Sequence, residues 1–248
     1  MDAAQRAPNS RPRPGAGARA RLVAGVVGTV LACATSAHAT FHLMRITQVY
    51  AGDVTHPDAQ FVELRMCTAN QNLVDQHPVT FYSKTGAVLG SVSFGGDLAH
   101  GASQSRVLVA TSSAEAAFHV SADLRMPADL VPSGGKVCFD PSFGVDCIAW
   151  GNYSNLPDAA VGTPFAAATG LLPGVTAVRD LAVAGGATTL ECAIVGANDD
   201  TDDSAADFDS GAPSPGNNAG VVGDLDAALV FVHGFEAGAL DGWSASSP

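Results

Sequence analysis

The densest group of reactive side chains in this 248-residue sequence lies at residues 198–209, where Asp199, Asp200, Asp202, Asp203 and Asp207 crowd one short stretch. Carboxylate oxygens at that density are the donor type Ca²⁺ takes, so these five residues are candidate calcium ligands. The stretch lacks the turn glycine and the distal Glu of an EF-hand loop. The competing reading is a solvated acidic loop whose Asp side chains cap neighbouring backbone N–H groups. Glu63 is the other carboxylate of interest. It sits in Gln60-Phe61-Val62-Glu63-Leu64-Arg65-Met66, which alternates as a half-buried strand does, with Phe61, Glu63 and Arg65 on one face. An acid beside a phenylalanine needs hydrogen-bond donors. Arg65 and Arg179 are its candidate partners, and a general-base role would require a pocket beside it.

Other chemistry has weaker support. His42, His56, His77, His100, His119 and His233 never fall two or four residues apart, so no pair of imidazoles is placed by sequence to share a metal. No Cys-x-x-Cys occurs, and Ser112, Ser133 and Ser214 lack the Gly-x-Ser-x-Gly elbow. Tyr153 beside Trp150 could offer an aromatic platform to a sugar, although core packing is the commoner use of such a pair. Asn152-Tyr153-Ser154 is a glycosylation sequon, relevant only in a host with that machinery. No catalytic residue and no cofactor beyond the candidate Ca²⁺ is expected.

The address is written at the start of the chain. Five arginines precede an apolar run at residues 22–34, and Ala37-His38-Ala39 follows as a small-x-small cleavage site, so residues 1–39 read as a secretory signal peptide. The run has about 13 residues, against the ~20 that span a bilayer. A rival reading makes Val30-Leu31-Ala32-Cys33 a lipoprotein box with Cys33 acylated, though leucine fits its penultimate position poorly. The whole chain carries a net charge of −12; residues 1–39 contribute five Arg and one Asp, a net +4, so the remainder carries −16. That charge disfavours nucleic acid and anionic lipid as partners.

Cys67, Cys138, Cys147 and Cys192 lie beyond the leader, an even number in a chain marked for export, which points to disulfides. Three connectivities are open. Asp140-Pro141 and Gly144 supply turn chemistry between Cys138 and Cys147, so a hairpin would hold those two side by side and leave Cys67 for Cys192.

Short apolar runs punctuated by Gly, Pro, Asn and Asp predict an all-β domain of sandwich size. Strands are expected at residues 43–50, 60–66, 79–83, 87–94, 105–111, 136–139, 145–150, 175–183 and 188–195. A short helix is expected at residues 112–118, and residues 151–174 read as an irregular excursion. The domain is expected to occupy residues 40–218, followed by a linker at 219–228 and a short tail at 229–248.

Several of these pieces, taken in order, resemble the lamin-tail domain of bacterial secreted and surface proteins. They are Ile46-Thr47-Gln48-Val49, Phe61-Val62-Glu63-Leu64, Leu130-Val131-Pro132-Ser133-Gly134-Gly135, Val145-Asp146-Cys147-Ile148-Ala149-Trp150-Gly151, Val178-Arg179 and Ser214-Pro215-Gly216-Asn217-Asn218. Arg65-Met66-Cys67 departs from the family's pattern, where an Asn usually follows the Glu-Leu pair, and the excursion at 151–174 is longer than usual. The resemblance implies an immunoglobulin-like β-sandwich and an accessory or interaction role rather than catalysis. The tail, with Gly234-Phe235-Glu236-Ala237-Gly238 and Trp243-Ser244, resembles a recurrent C-terminal segment of exported proteobacterial proteins and the first strands of jelly-roll modules.

The expected function is a non-catalytic secreted or cell-surface module that binds a protein or a surface polymer, with Ca²⁺ as a candidate stabiliser. Two alternatives accompany it: a structural envelope protein docked by residues 229–248, and a secreted hydrolase with an unrecognised site.

Overall fold

The computed structural model describes residues 41–182, 189–192 and 198–225. The expected signal peptide with Cys33, the ends of the expected strand 188–195, and the tail 229–248 lie outside them. The architecture is the expected all-β, immunoglobulin-like sandwich of two sheets.

The first strand, β1 (Met44–Ala51), pairs antiparallel with β2 (Gln60–Met66), which begins and ends where the alternation predicts. The hairpin β3 (Pro78–Ser83) and β4 (Val88–Ser93) turns at Gly86, whose φ of +80° is the left-handed conformation glycine tolerates. β5 (Arg106–Ala110) leads into helix α1 (Ser112–Phe118). Thr111 caps α1 by accepting a hydrogen bond from the Ala114 N–H at 3.1 Å. A two-residue strand, β6 (Leu124–Arg125), then runs parallel to β5, a pairing too short to leave a period in the sequence. β7 (Gly134–Phe139) and β8 (Asp146–Gly151) form the expected hairpin. β9 (Thr176–Arg179) is shorter than expected, and residues 189–192 form no strand.

The acidic stretch departs from the expected loop. Asp203 caps a one-turn helix, α2 (Ser204–Asp207), which runs directly into an edge strand, β10 (Phe208–Gly211). The six-stranded sheet has the order β10-β9-β1-β2-β5-β6, and the four-stranded sheet β4-β3-β7-β8.

The core lies between the sheets. Val62, Leu64 and Met66 of β2 face Phe81, Phe139, Ile148 and Trp150 there, all essentially sealed from water. A smaller apolar cluster forms on the outer face of the six-stranded sheet, where Phe118 of α1 packs edge-on against Tyr50 and Phe61. On the outer face of the other sheet, Tyr153 and Val161 from the 151–174 excursion cover Ala149.

Cys67 pairs with Cys192 (Cα–Cα 5.8 Å) and Cys138 with Cys147 (Cα–Cα 4.1 Å). The second pair lies directly opposite in the β7–β8 register. Residues 219–225, expected as linker, dock on the domain: Gly223 N–H donates to the Pro215 carbonyl, Asp224 N–H to that of Phe118, and Leu225 packs on the outer cluster.

Candidate functional site

Three places gather the side chains that could do chemistry. The first is built on Arg179, the last residue of β9, which shares the inner face with Ala177 and points between the sheets. A bulge at Thr47 interrupts the β1–β2 ladder, and the β1–β9 pairing covers only Gln48 to Tyr50. The peptide groups of Ile46 therefore need other partners. Arg179 Nε donates to the Ile46 carbonyl at 2.7 Å, and Ile46 N–H donates to Asp146 Oδ2 at 2.5 Å. Arg179 Nη2 donates to the same Asp146 oxygen at 2.8 Å, which joins the two sheets. Its Nη1 donates to the Asp199 carbonyl at 2.7 Å and lies 3.6 Å and 3.7 Å from Asp200 and Asp207. The guanidinium also stacks over Phe208, 4.6 Å from the ring centre.

This arrangement accounts for the candidate calcium ligands one by one. Asp199 Oδ2 accepts from Glu191 N–H at 2.7 Å, and Asp200 Oδ2 lies 2.7 Å from Arg45 Nε. Asp203 accepts from Ala205 N–H at 3.1 Å as the cap of α2, and Asp207 accepts from the N–H and the hydroxyl of Thr201. Asp202 makes an N–H bond to Asp200 Oδ1 at 3.3 Å. Among the described residues, no group of three or more His, Cys, Asp or Glu side chains is placed to hold a metal ion. Arginines, backbone N–H groups and the Thr201 hydroxyl engage the carboxylates of Asp199, Asp200, Asp203 and Asp207, while the second oxygen of Asp199 is buried without a hydrogen-bond partner.

Charge is crowded here. Burial pushes the Asp146 carboxyl up to about 7, with Arg179 pulling against it and Asp200 reinforcing it. Burial also raises Asp202 and Asp207. Burial alone would lower Arg179, but Asp146, Asp200 and Asp207 more than offset that and hold it firmly cationic.

The second place is Glu63, fully buried on the outer face of β2. Thr47 Oγ1 donates to it at 2.9 Å, Gln48 Nε2 at 3.2 Å and the Gly216 N–H at 2.8 Å. Arg65 lies 3.5 Å away, as expected, but its second cation is Arg106 at 3.4 Å. Arg179, the other expected partner, is on the opposite face of the sheet. Burial raises the Glu63 carboxyl, and Arg106, Arg65, Thr47 and Gly216 draw it back. Ser214-Pro215-Gly216-Asn217-Asn218 closes over this acid. Ser214 N–H donates to Gln48 Oε1 and the Ser214 carbonyl accepts from Arg106, while Asn218 exchanges hydrogen bonds with the His100 backbone.

The third place borders the second. A groove of about 250 Å³ runs between Gln104–Arg106 and the turn 217–222. Arg106 reaches it with its side chain 30 % exposed, and Val221 and Val222 stand out beside it at 48 % and 55 % exposed. The groove lining contains no His and no carboxylate.

Two further sequence candidates are displaced. Trp150 and Tyr153 are 1 % and 3 % exposed, so they form no open platform for a sugar. Trp150 Nε1 donates to the Val131 carbonyl at 2.9 Å. Tyr153 flanks Lys136, which is paired with Asp158 at 2.7 Å. Comparison with known proteins finds no match: no family profile, curated protein or solved structure matches this chain.

Proposed function

We propose that this chain is an exported, non-catalytic interaction module of the lamin-tail type, which meets a protein or surface polymer at the groove beside Arg106. The observation that carries the reading is the fate of the acids. Glu63, Asp146, Asp199, Asp200, Asp203 and Asp207 are bound into internal ion pairs and hydrogen bonds, an architecture that holds loops rather than turns over substrate. The groove is different: it opens to solvent and combines the Arg106 guanidinium, the three carboxamides of Gln104, Asn217 and Asn218, and exposed valines. Such a mixture suits recognition of hydroxyl or carboxylate acceptors next to an apolar group. Two disulfides fit an oxidising compartment, and the net −16 beyond residue 39 argues against nucleic acid as the partner.

The test is co-sedimentation of the protein with envelope fragments of the producing cells, in parallel with a V221S/V222S variant that leaves the buried clusters intact. Binding by the parent and its loss in the variant are expected. Equal sedimentation of both, or of neither, would overturn the assignment of the groove. Turnover of an ester, peptide or glycoside that is lost in Glu63→Gln would instead favour a hydrolase.

A further inference from the structure

We propose that the processed chain carries a square-planar site for Cu(II), or for Ni(II), made by its own first three residues, Thr40-Phe41-His42. The proposal rests on the export reading, because cleavage after Ala39 turns Thr40 into a free amino terminus with histidine in third position. Four nitrogens are then supplied in sequence: the Thr40 amine, the Phe41 and His42 amides, and Nδ1 of His42. They close consecutive fused chelate rings around one ion. Tetragonal nitrogen donors select Cu(II) and Ni(II), and the Irving–Williams order favours copper. Binding displaces the two amide protons, together with any proton on the amine, and leaves the oxidation state of the ion unchanged.

The domain leaves the donors of Phe41 and His42 available. His42 is exposed, and residues 41–43 form a turn ahead of β1. Among the described residues, no acceptor takes the N–H of Phe41 or His42; the next one along, Leu43 N–H, donates to Gln71 Oε1 at 3.0 Å. The Phe41 side chain is buried, with its ring 3.3 Å from that of His77 and 6.1 Å from that of Phe139, measured between ring centres. That anchor fixes the second residue of the chelate on the domain. The His42 ring rests near Phe143, which is 63 % exposed. His42 gives up only its carbonyl, which accepts from Arg45 Nη1 at 3.2 Å and is no ligand in this geometry. Three of its four donors belong to the main chain, so the site needs no cluster of imidazoles or carboxylates.

The experiment uses the full chain, expressed with its leader and recovered from the exported fraction. Its mass gives the first residue, and the same protein is titrated with a copper(II) salt and, separately, a nickel(II) salt. His42→Ala and an insertion of one glycine between Ala39 and Thr40 are carried alongside. The expected result is a mass beginning at Thr40, one Cu(II) per chain, and the visible band and electron-spin spectrum of a four-nitrogen planar site. Both variants should keep the parent's melting temperature without metal and lose that spectrum. A chain that stays unexported or begins elsewhere overturns the proposal together with the export reading. A chain beginning at Thr40 that binds no copper, or that binds it identically in either variant, overturns the copper site alone.

Discussion

Asp146 and Arg179 meet at 2.8 Å on strands of different sheets, and between them they hold the N–H and the carbonyl of a single residue, Ile46. β9 stops at Arg179, one position short of where a ladder would cover Ile46, and the two side chains stand in for the missing strand.

Removing the cation should therefore be costly. Arg179→Ala leaves Asp146, Asp200 and Asp207 without their shared partner and is expected to lower stability by about 3–5 kcal/mol. Arg179→Lys keeps the charge but cannot span three acceptors at once, so it should fall between. Urea unfolding of the three proteins measures the order.

The pH dependence has a definite sign. Glu63, Asp123, Asp146, Asp202 and Asp207 all have folded carboxyls raised, first by burial. The native state then binds more protons than the unfolded chain, so this part of the stability is fully present below the usual carboxylate range. It is lost as pH rises, for Asp146 through about 7. Asp53 and Asp158 are lowered and act oppositely: despite burial, hydrogen bonds from His56 and Thr55, and from Lys136 and Tyr153, favour their charged forms. The raised group is the larger. Melting temperature should be highest in mild acid and fall toward neutrality, and Asp146→Asn should flatten that slope.

Glu63 should behave as a structural acid. Glu63→Ala strands Arg65 and Arg106 and frees the Gly216 N–H, at an expected cost of about 3–5 kcal/mol. Glu63→Gln keeps one acceptor oxygen and should cost about 1–3 kcal/mol. Hydrogen exchange should localise the loss to residues 214–218, and an unaltered Gly216 amide in the alanine variant would contradict it.

The two disulfides should differ in weight. Cys67–Cys192 closes 125 residues and Cys138–Cys147 closes 9. On chain entropy the first is worth about 5 kcal/mol and the second about 2.6 kcal/mol. The C67S/C192S protein should accordingly melt roughly 5–10 °C below C138S/C147S.

Calcium should leave the melting curve in place. Asp200 and Asp207 are held near Arg179, Asp203 caps α2 and Asp199 accepts from Glu191, so among the described residues these side chains turn to protein donors and no three of them converge on one point. A rise in melting temperature on adding calcium chloride, reversed by a chelator, would contradict this.

What the sequence made legible was whatever repeats locally. The alternation of residues 60–66 located β2 to the residue, and the alanines after Thr111 located α1. Gly and Pro punctuation gave both hairpins and, through the second, the Cys138–Cys147 pair. β6, α2 and β10 were not legible, because two to four residues carry no period and the Asp-rich composition reads equally well as a loop. The partner of Glu63 was half legible: Arg65 lies on the same strand face, while Arg106 depends on β5 lying next to β2. Arg179 went to a different acid because strand order, which no local pattern encodes, turned it toward β8.

The order of the six-stranded sheet also sets a timetable. β1 is made first, yet its second neighbour, β9, and the α2–β10 unit that closes over Arg179 come from residues 176–211. Until those residues are available, one edge of β1 stays open and the Ile46 carbonyl lacks its Arg179 partner. Pairings so distant in sequence form slowly, because the entropy of closing the loop is met before any contact rewards it. The cover over Ile46 is therefore among the last parts of the sandwich to be completed, and an unfolded chain keeps that edge of β1 unpaired longest.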